Sequence, residues 1–124
     1  IWAKLDAGTE EWFRRVDGTN FSFQRVLTNI LWAAQQRPLV LQSMFHRFDE
    51  EGPSKEEILA WVARIETIID SGGEISWIQV YTTARKPSQS NVFPLKIEEL
   101  EAIASQVQGI LDKKDSSTRV SVYS

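Results

Sequence analysis

The chain has 124 residues, of which 42% are hydrophobic and 25% are charged, as in an ordinary globular domain that can bury a core. Its formal net charge of −3 provides no electrostatic attraction to nucleic acid or to an anionic membrane, and no apolar run reaches the roughly 18 residues of a membrane span. Cysteine is absent and His46 is the only histidine. We therefore expect no disulfide and no iron–sulfur ligand within these residues, and a cytoplasmic location.

The opening stretch IWAKLD predicts a strand, because apolar and aromatic residues predominate in it. Side chains alternate between the two faces of a strand, so Lys4 and Asp6 point to the same face. A cation and an anion therefore share one face of a strand that otherwise reads as buried. This pair is the first candidate for a functional site.

The rest of the chain predicts an alternation of helices and strands. Helix starts carry capping signals, namely Thr9 for the first helix and a capping box of Ser54 and Glu57 for the third. Pro38 ends the second helix, and glycines end the third. The predicted helices are 9–16, 22–36, 54–69 and 97–111, the predicted strands are 1–6, 39–48, 74–84 and 119–124, and a long loop at about 85–95 and a polar linker at 112–118 complete the chain.

Each pair of consecutive predicted strands is separated by a helix, which predicts parallel pairing, right-handed crossovers and an α/β fold class. Two architectures satisfy this pattern: a small open sheet with helices on both faces, and an arc of a (β/α) barrel. Polar residues interrupt the apolar strands at mid-strand or toward their carboxyl ends, among them Gln42 and Gln79. An open sheet would bury them away from water at high cost, whereas the lumen of a barrel admits ligands and water, so they favour the barrel.

Three segments together resemble a known family: WAKLDAGTEEWFRRVDG, LVLQSMFHRF and IQVYTTARKP…PLKIEELEAIA. They are similar to the later part of the barrel domain of radical S-adenosylmethionine (radical SAM) enzymes. The most similar subgroup comprises Fe–S oxidoreductases related to glycyl-radical activating enzymes and wyosine-base synthases. The resemblance covers roughly residues 2–108, and KLDAG, at the turn from a strand to a helix, is its most specific element.

Enzymes of this family carry a CxxxCxxC motif for a [4Fe–4S] cluster and a Gly-Gly-Glu-type motif for S-adenosylmethionine, and this chain contains neither. The resemblance therefore implies that residues 1–124 are a single-domain fragment, the C-terminal half of a partial (β/α)6 TIM-like barrel. The first residue, which is not Met, agrees with this expectation. The parent protein would be a radical SAM oxidoreductase or activating enzyme that uses S-adenosylmethionine and a [4Fe–4S] cluster for 5′-deoxyadenosyl-radical chemistry.

Alone, the fragment would be inactive, and its implied partner is the missing N-terminal half of the barrel. A half barrel leaves the edge of its first strand unpaired, and exposed edges invite pairing. We therefore expect the isolated fragment to associate as a twofold homodimer that covers this edge or the uncovered inner face of the half barrel.

The resemblance also implies which residues line the cofactor and the substrate. A carboxylate accepts hydrogen bonds from a ribose diol, and an ammonium group pairs with a carboxylate. Met44 and His46 would share one face with Gln42 if that strand stays regular. The implied cofactor-binding residues are Lys4, Asp6, Gln42, Gln79 and Tyr81, and the implied substrate-binding residues are His46, Arg47 and Arg85.

The alternative hypothesis is a non-enzymatic α/β protein-interaction module. In that case Lys4 and Asp6 would be a structural ion pair, and the long loop would make the contact with a partner. The acidic runs at helix starts fit solvated capping near the positive end of the helix dipole. For the five tryptophans, packing in the core and between helices and barrel is the prediction, and stacking on a base is the alternative.

Overall fold

The structure is a computed structural model that describes residues 1–17, 21–83 and 91–124. Its elements, in chain order, are β1 (Trp2–Lys4), α1 (Glu10–Asp17), α2 (Phe23–Gln36), β2 (Leu39–Met44), β3 (His46–Phe48), α3 (Lys55–Asp70), β4 (Ile75–Tyr81), β5 (Val92–Pro94), α4 (Ile97–Lys113) and β6 (Arg119–Tyr123). The predicted helices and main strands are all present. Within these ranges, no helix has both the length and the apolar character that crossing a membrane requires.

Four of the strands form one parallel sheet in the order β1–β2–β4–β6. The register places Lys4 beside Gln42, Gln42 beside Gln79, and Gln79 beside Ser121. The order in the sheet follows the order in the chain, and right-handed crossovers then place every connecting helix on the same face. The prediction of an α/β fold with parallel pairing is confirmed.

One face of this sheet packs against the helices and forms the core. Leu41, Ile78 and Val80 lie on it and are fully buried. Trp61 of α3 packs edge-on against the ring of Phe45 at 5.2 Å, and its indole N–H donates to Ser43 Oγ over 3.0 Å. Further core residues come from each helix: Trp12, Phe13, Phe23, Ile30, Ala34, Ile58, Ile65, Leu100, Ile103 and Val107.

The opposite face of the sheet, which we call the open face, carries polar and aromatic side chains. In the described part of the chain, all four helices pack on the core face, so none covers the open face. Trp2 on its edge strand is 59% exposed. Further along the face, the Trp77 indole donates to Ser121 Oγ at 2.9 Å, and the Arg119 guanidinium lies 3.9 Å from the centroid of the Trp77 ring.

The tryptophans divide between the core and the surface. Trp12 and Trp61 are buried, as predicted, and Trp77 is half-buried. Trp2 and Trp32 are exposed, Trp32 by 65%. For these two residues the prediction of core packing is wrong, because Trp2 lies on the open face and Trp32 lies on a solvent-facing position of α2.

Two short strands were not predicted. β3 and β5 form a separate antiparallel sheet in which Arg47 lies opposite Phe93. β3 falls inside the predicted strand 39–48, and β5 falls inside the predicted loop 85–95. Thr82 joins the two sheets, because its hydroxyl donates to the Phe45 carbonyl at 2.6 Å and accepts the Leu95 N–H at 2.9 Å.

The turn between β1 and α1 lies directly on the backbone of α3. A Cβ atom on Gly8 would lie 2.1 Å from the amide nitrogen of Trp61 and 2.6 Å from the carbonyl carbon of Ala60. The Gly8 carbonyl also accepts a hydrogen bond from Arg64 Nε at 3.0 Å. Because backbone atoms cannot move aside as a side chain can, only glycine permits this contact.

We predict that Gly8→Ala destabilises the fold by about 2 kcal/mol or more, because the new methyl group overlaps the α3 backbone. The matched control is Gly109→Ala, since a Cβ there meets nothing within 4 Å. This control should stabilise the protein by about 0.5–1 kcal/mol, as alanine replaces glycine inside a helix. Urea unfolding measures both, and equal effects of the two substitutions would contradict the proposed contact.

Candidate functional site at the carboxyl edge of the sheet

Lys4 and Asp6 form a polar pair at the carboxyl end of β1. Lys4 Nζ lies 3.5 Å from Asp6 Oδ2, so the two side chains meet, although β1 ends at Lys4 and Asp6 follows the strand rather than lying on it. Asp6 Oδ1 accepts the Met44 N–H at 2.8 Å, which attaches the carboxylate to the end of β2. The Lys4 side chain is 55% exposed and the Asp6 side chain 21%, so a ligand in solvent could reach both.

Burial and charge act in opposite directions on this pair. Burial raises the pKa of the Asp6 carboxyl above its ordinary value, although the Met44 N–H and the Lys4 ammonium act to lower it. Partial burial acts to lower the pKa of Lys4, but Asp6 and the neighbouring Tyr81 outweigh it, and the pKa of Lys4 is raised. The site therefore combines a firmly protonated ammonium group with a partly desolvated carboxyl group.

A cavity of about 170 Å³ opens beside this pair. It lies between the end of β1 and the first two helices, and a second carboxylate, Asp17, lines it. This volume fits a small polar group of a ligand rather than a whole cofactor. Its lining residues are Lys4, Leu5, Asp6, Phe13, Val16, Asp17 and Val26.

Gln42 and Gln79 lie side by side on the open face. Gln42 Nε2 donates to Gln79 Oε1 at 3.1 Å, and Gln79 is only 8% exposed. Together with Tyr81 and Tyr123 they line an open cleft of about 340 Å³. Sequence reasoning missed Tyr123, although the parallel register of β4 and β6 places it directly beside Tyr81.

The substrate-binding candidates His46 and Arg47 lie elsewhere. β2 ends at Met44, so the regular strand on which His46 would share a face with Gln42 does not form. His46 is buried in β3 against the ring of Phe48 at 4.9 Å, and burial lowers the pKa of its imidazole. Arg47 is half-buried in the same strand. Arg85 lies outside the described residues.

Glu57 is a positioning residue that sequence reasoning assigned to a local role. Ser54 Oγ accepts the Glu57 N–H at 3.0 Å, as a capping box predicts. The Glu57 carboxylate, however, accepts hydrogen bonds from the Gly8 N–H and the Thr9 hydroxyl in the β1–α1 turn. Burial raises the pKa of Glu57 although these two donors act to lower it. Glu57 therefore holds the turn that follows Asp6. This role could not be predicted from the sequence, because Glu57 and Gly8 are far apart in the chain.

Comparisons with models of protein families, with curated proteins and with solved structures found no match for this chain. In the part of the chain that the structure describes, no group of three or more Asp, Glu or His side chains is arranged to hold a metal ion.

We predict that Glu57→Ala destabilises the protein by about 2–3 kcal/mol, because it leaves the buried Gly8 N–H without an acceptor. The control is Glu56→Ala, an exposed carboxylate in the same helical turn, with an expected loss of about 0.5 kcal/mol or less. Both losses are measured by urea unfolding at neutral pH. Similar losses for the two variants would show that Glu57 contributes only through the helix dipole.

We predict that the Asp6 carboxyl titrates above its ordinary pKa of 3.8 and that Lys4→Met raises this pKa further, because the ammonium group that lowers it is gone. With a raised pKa, the native state keeps the proton to higher pH than the unfolded chain does. The carboxyl therefore contributes most to the free energy of unfolding below pH 3.8, and this contribution is lost as the pH rises through the native pKa.

Carbon-13 NMR titration of the aspartate carboxyl groups measures this pKa in the wild type and in the variant. Lys113→Met, an exposed change in the last turn of α4, is the control and should leave Asp6 unaffected. An unchanged Asp6 pKa in Lys4→Met would contradict the coupling.

Proposed function

We propose that this chain forms half of the barrel wall of a radical SAM oxidoreductase and that its open face lines the cavity for S-adenosylmethionine and substrate. The observation that carries the proposal is a set of polar side chains at the carboxyl ends of parallel strands, on a face that no described helix covers. Parallel sheets are usually covered on both faces, and (β/α) barrels place their sites at the carboxyl ends of the strands. A sheet face without a helical cover is expected in a half barrel, because the remaining strands of the complete barrel would enclose it.

The chemistry of the donor set is compatible with part of S-adenosylmethionine. The Asp6 carboxylate can accept hydrogen bonds from a ribose diol, and the Lys4 ammonium can pair with a carboxylate. Gln42, Gln79 and Tyr81 add neutral donors and acceptors on the open face, beside Lys4. The chain contains no cysteine, so the ligands of a [4Fe–4S] cluster would come from another part of the enzyme.

When bound, the cofactor and its cluster supply the radical chemistry. The residues of this chain would bind and orient the cofactor and the substrate, and they would exclude water from the cavity. Asp6 and Lys4 would hold polar groups at the rim of the cavity, and the core behind the sheet keeps the strands rigid. His46 and Arg47 would contact the substrate from the smaller β3–β5 sheet, and burial lowers the pKa of His46, which favours its neutral form.

The second candidate function is a protein-interaction module, and one observation favours it. Trp2 and Tyr123 are both exposed on the open face, and exposed aromatic residues are typical of contact surfaces. On this hypothesis the face would bind another protein, and Lys4 and Asp6 would have only a structural role.

The first test is to read the coding sequence upstream of Ile1, because it distinguishes the radical SAM enzyme from the protein-interaction module. The radical SAM proposal expects a CxxxCxxC motif there, and a start codon immediately before Ile1 would exclude it. The protein that includes the upstream residues would then be reconstituted under anaerobic conditions with iron, sulfide, a reductant and S-adenosylmethionine. Formation of 5′-deoxyadenosine is the readout.

We predict that the reconstituted protein releases 5′-deoxyadenosine and that Asp6→Ala weakens S-adenosylmethionine binding about tenfold, as expected for loss of a charge-assisted hydrogen bond. Asp112→Ala, an exposed change on α4, is the control. Absence of both a cluster and 5′-deoxyadenosine would overturn the proposal in favour of the interaction module. Binding that is insensitive to Asp6→Ala would remove Asp6 from the site.

A further inference from the structure

Helix α2 presents an outer side that lacks the charges found on the other helices. Arg25 is the one charged residue between Phe23 and Gln36, whereas α1, α3 and α4 each contain five or six. The buried side of α2 carries Phe23, Ile30 and Ala34, so the sparsely charged side faces away from the core. Protein interfaces are likewise depleted of lysine and acidic residues and enriched in arginine and aromatic residues. The composition of α2 is therefore that of a contact surface.

Trp32 and Arg25 are the largest side chains on this outer side. Trp32 is 65% exposed, and Arg25 is exposed as well. The seven residues between them correspond to two turns of an α-helix, about 10 Å along its axis, so both side chains lie on one side of α2. Three exposed, uncharged residues share that side: Thr28, Asn29 and Gln36. We call these five residues the α2 seam.

Arg25 and Trp32 are complementary in chemistry, but one copy of the chain keeps them apart. Within residues 1–17, 21–83 and 91–124, no carboxylate forms an ion pair with Arg25, and no cation stacks on the Trp32 ring. A guanidinium group over the face of an indole forms a favourable cation–π contact when it lies within about 6 Å of the ring centroid. Two helical turns exceed this distance, so the contact requires a second helix.

We propose that the α2 seam binds the α2 seam of a second copy of this chain, antiparallel to it and around a twofold axis between Thr28 and Asn29. Arg25 and Trp32 lie equally far from that point along the chain, so the axis places Arg25 of each copy opposite Trp32 of the other. The contact is isologous, as in most homodimers, and contains two symmetric cation–π pairs.

This dimer is compatible with either candidate function. All four described helices pack on the core face of the sheet, so a contact through α2 leaves the open face accessible. The α2 seam also differs from the strand edge and the inner face of the half barrel, which are the surfaces that the sequence predicted for a homodimer. The inference therefore does not rest on the radical SAM proposal.

The size of the contact sets the expected affinity. A contact between two single helices is smaller than the roughly 800 Å² per partner of a standard interface, so we expect weak association with a Kd of about 100 μM. Sedimentation equilibrium of the 124-residue chain, from about 10 μM to about 1 mM, measures this constant. A protein that stays monomeric over this range would overturn the proposal.

Arg25→Glu tests the cation–π pairs. It should weaken association about tenfold or more, because it removes both cations and places a carboxylate against each indole face. Arg37→Glu makes the same change of charge at the exposed C-cap of α2, outside the seam, and should change the Kd by less than about twofold. A dimer that Arg25→Glu does not weaken would overturn the proposal. If Trp2→Ser disrupts that dimer, the contact lies on the open face instead.

Disulfide cross-linking tests the position of the axis. The chain contains no cysteine, so Thr28→Cys introduces a single thiol next to the proposed axis, where the thiols of two copies would lie within reach of a disulfide. Under mild oxidation, Thr28→Cys should cross-link at least about tenfold faster than Ser105→Cys, an exposed change on α4. Equal rates for the two variants would show that the α2 helices do not meet, and would overturn the proposal.

Discussion

The contact between the β1–α1 turn and α3 is the constraint on which the site depends. Gly8 lies against the α3 backbone with no space for a side chain, and Glu57 accepts the Gly8 N–H and the Thr9 hydroxyl. These bonds fix where the chain leaves β1, and thereby where Asp6 lies relative to the end of β2. A carboxylate so held can keep its hydrogen bond to the Met44 N–H and still face a ligand, which is the preorganisation that binding sites require.

The second constraint is the one-sided sheet. Because the four strands follow one another in chain order, the helices gather on one face and bury an apolar core there. The open face is therefore free to carry Lys4, Gln42 and Gln79, which would be costly to bury without partners between two helical layers. The same arrangement leaves Trp2 exposed at the edge strand. Both proposed functions use this face, and they differ in what covers it.

Much of the fold could be predicted from local patterns. Periodicity and caps located the four helices to within a few residues, and Ser22 and Ser54 each cap a helix through its side-chain oxygen. Helical crossovers predicted parallel pairing, and the spacing of Lys4 and Asp6 predicted that their side chains lie together. Each of these features is set by residues that are close together in the chain, so it can be predicted from the sequence without knowledge of the fold.

The candidate site was only partly predictable, because its remaining features depend on residues far apart in the chain. The end of β2 at Met44 and the pairing of β3 with β5 removed His46 from the face of Gln42. The register of β4 with β6 brought Tyr123 beside Tyr81, and packing of α3 gave Glu57 its role in the β1–α1 turn. The sequence by itself determined the order of elements, the helix ends and the polar residues within the strands. Only the tertiary structure decided which of those residues meet, since strand register and helix docking are set by the packing of the whole core.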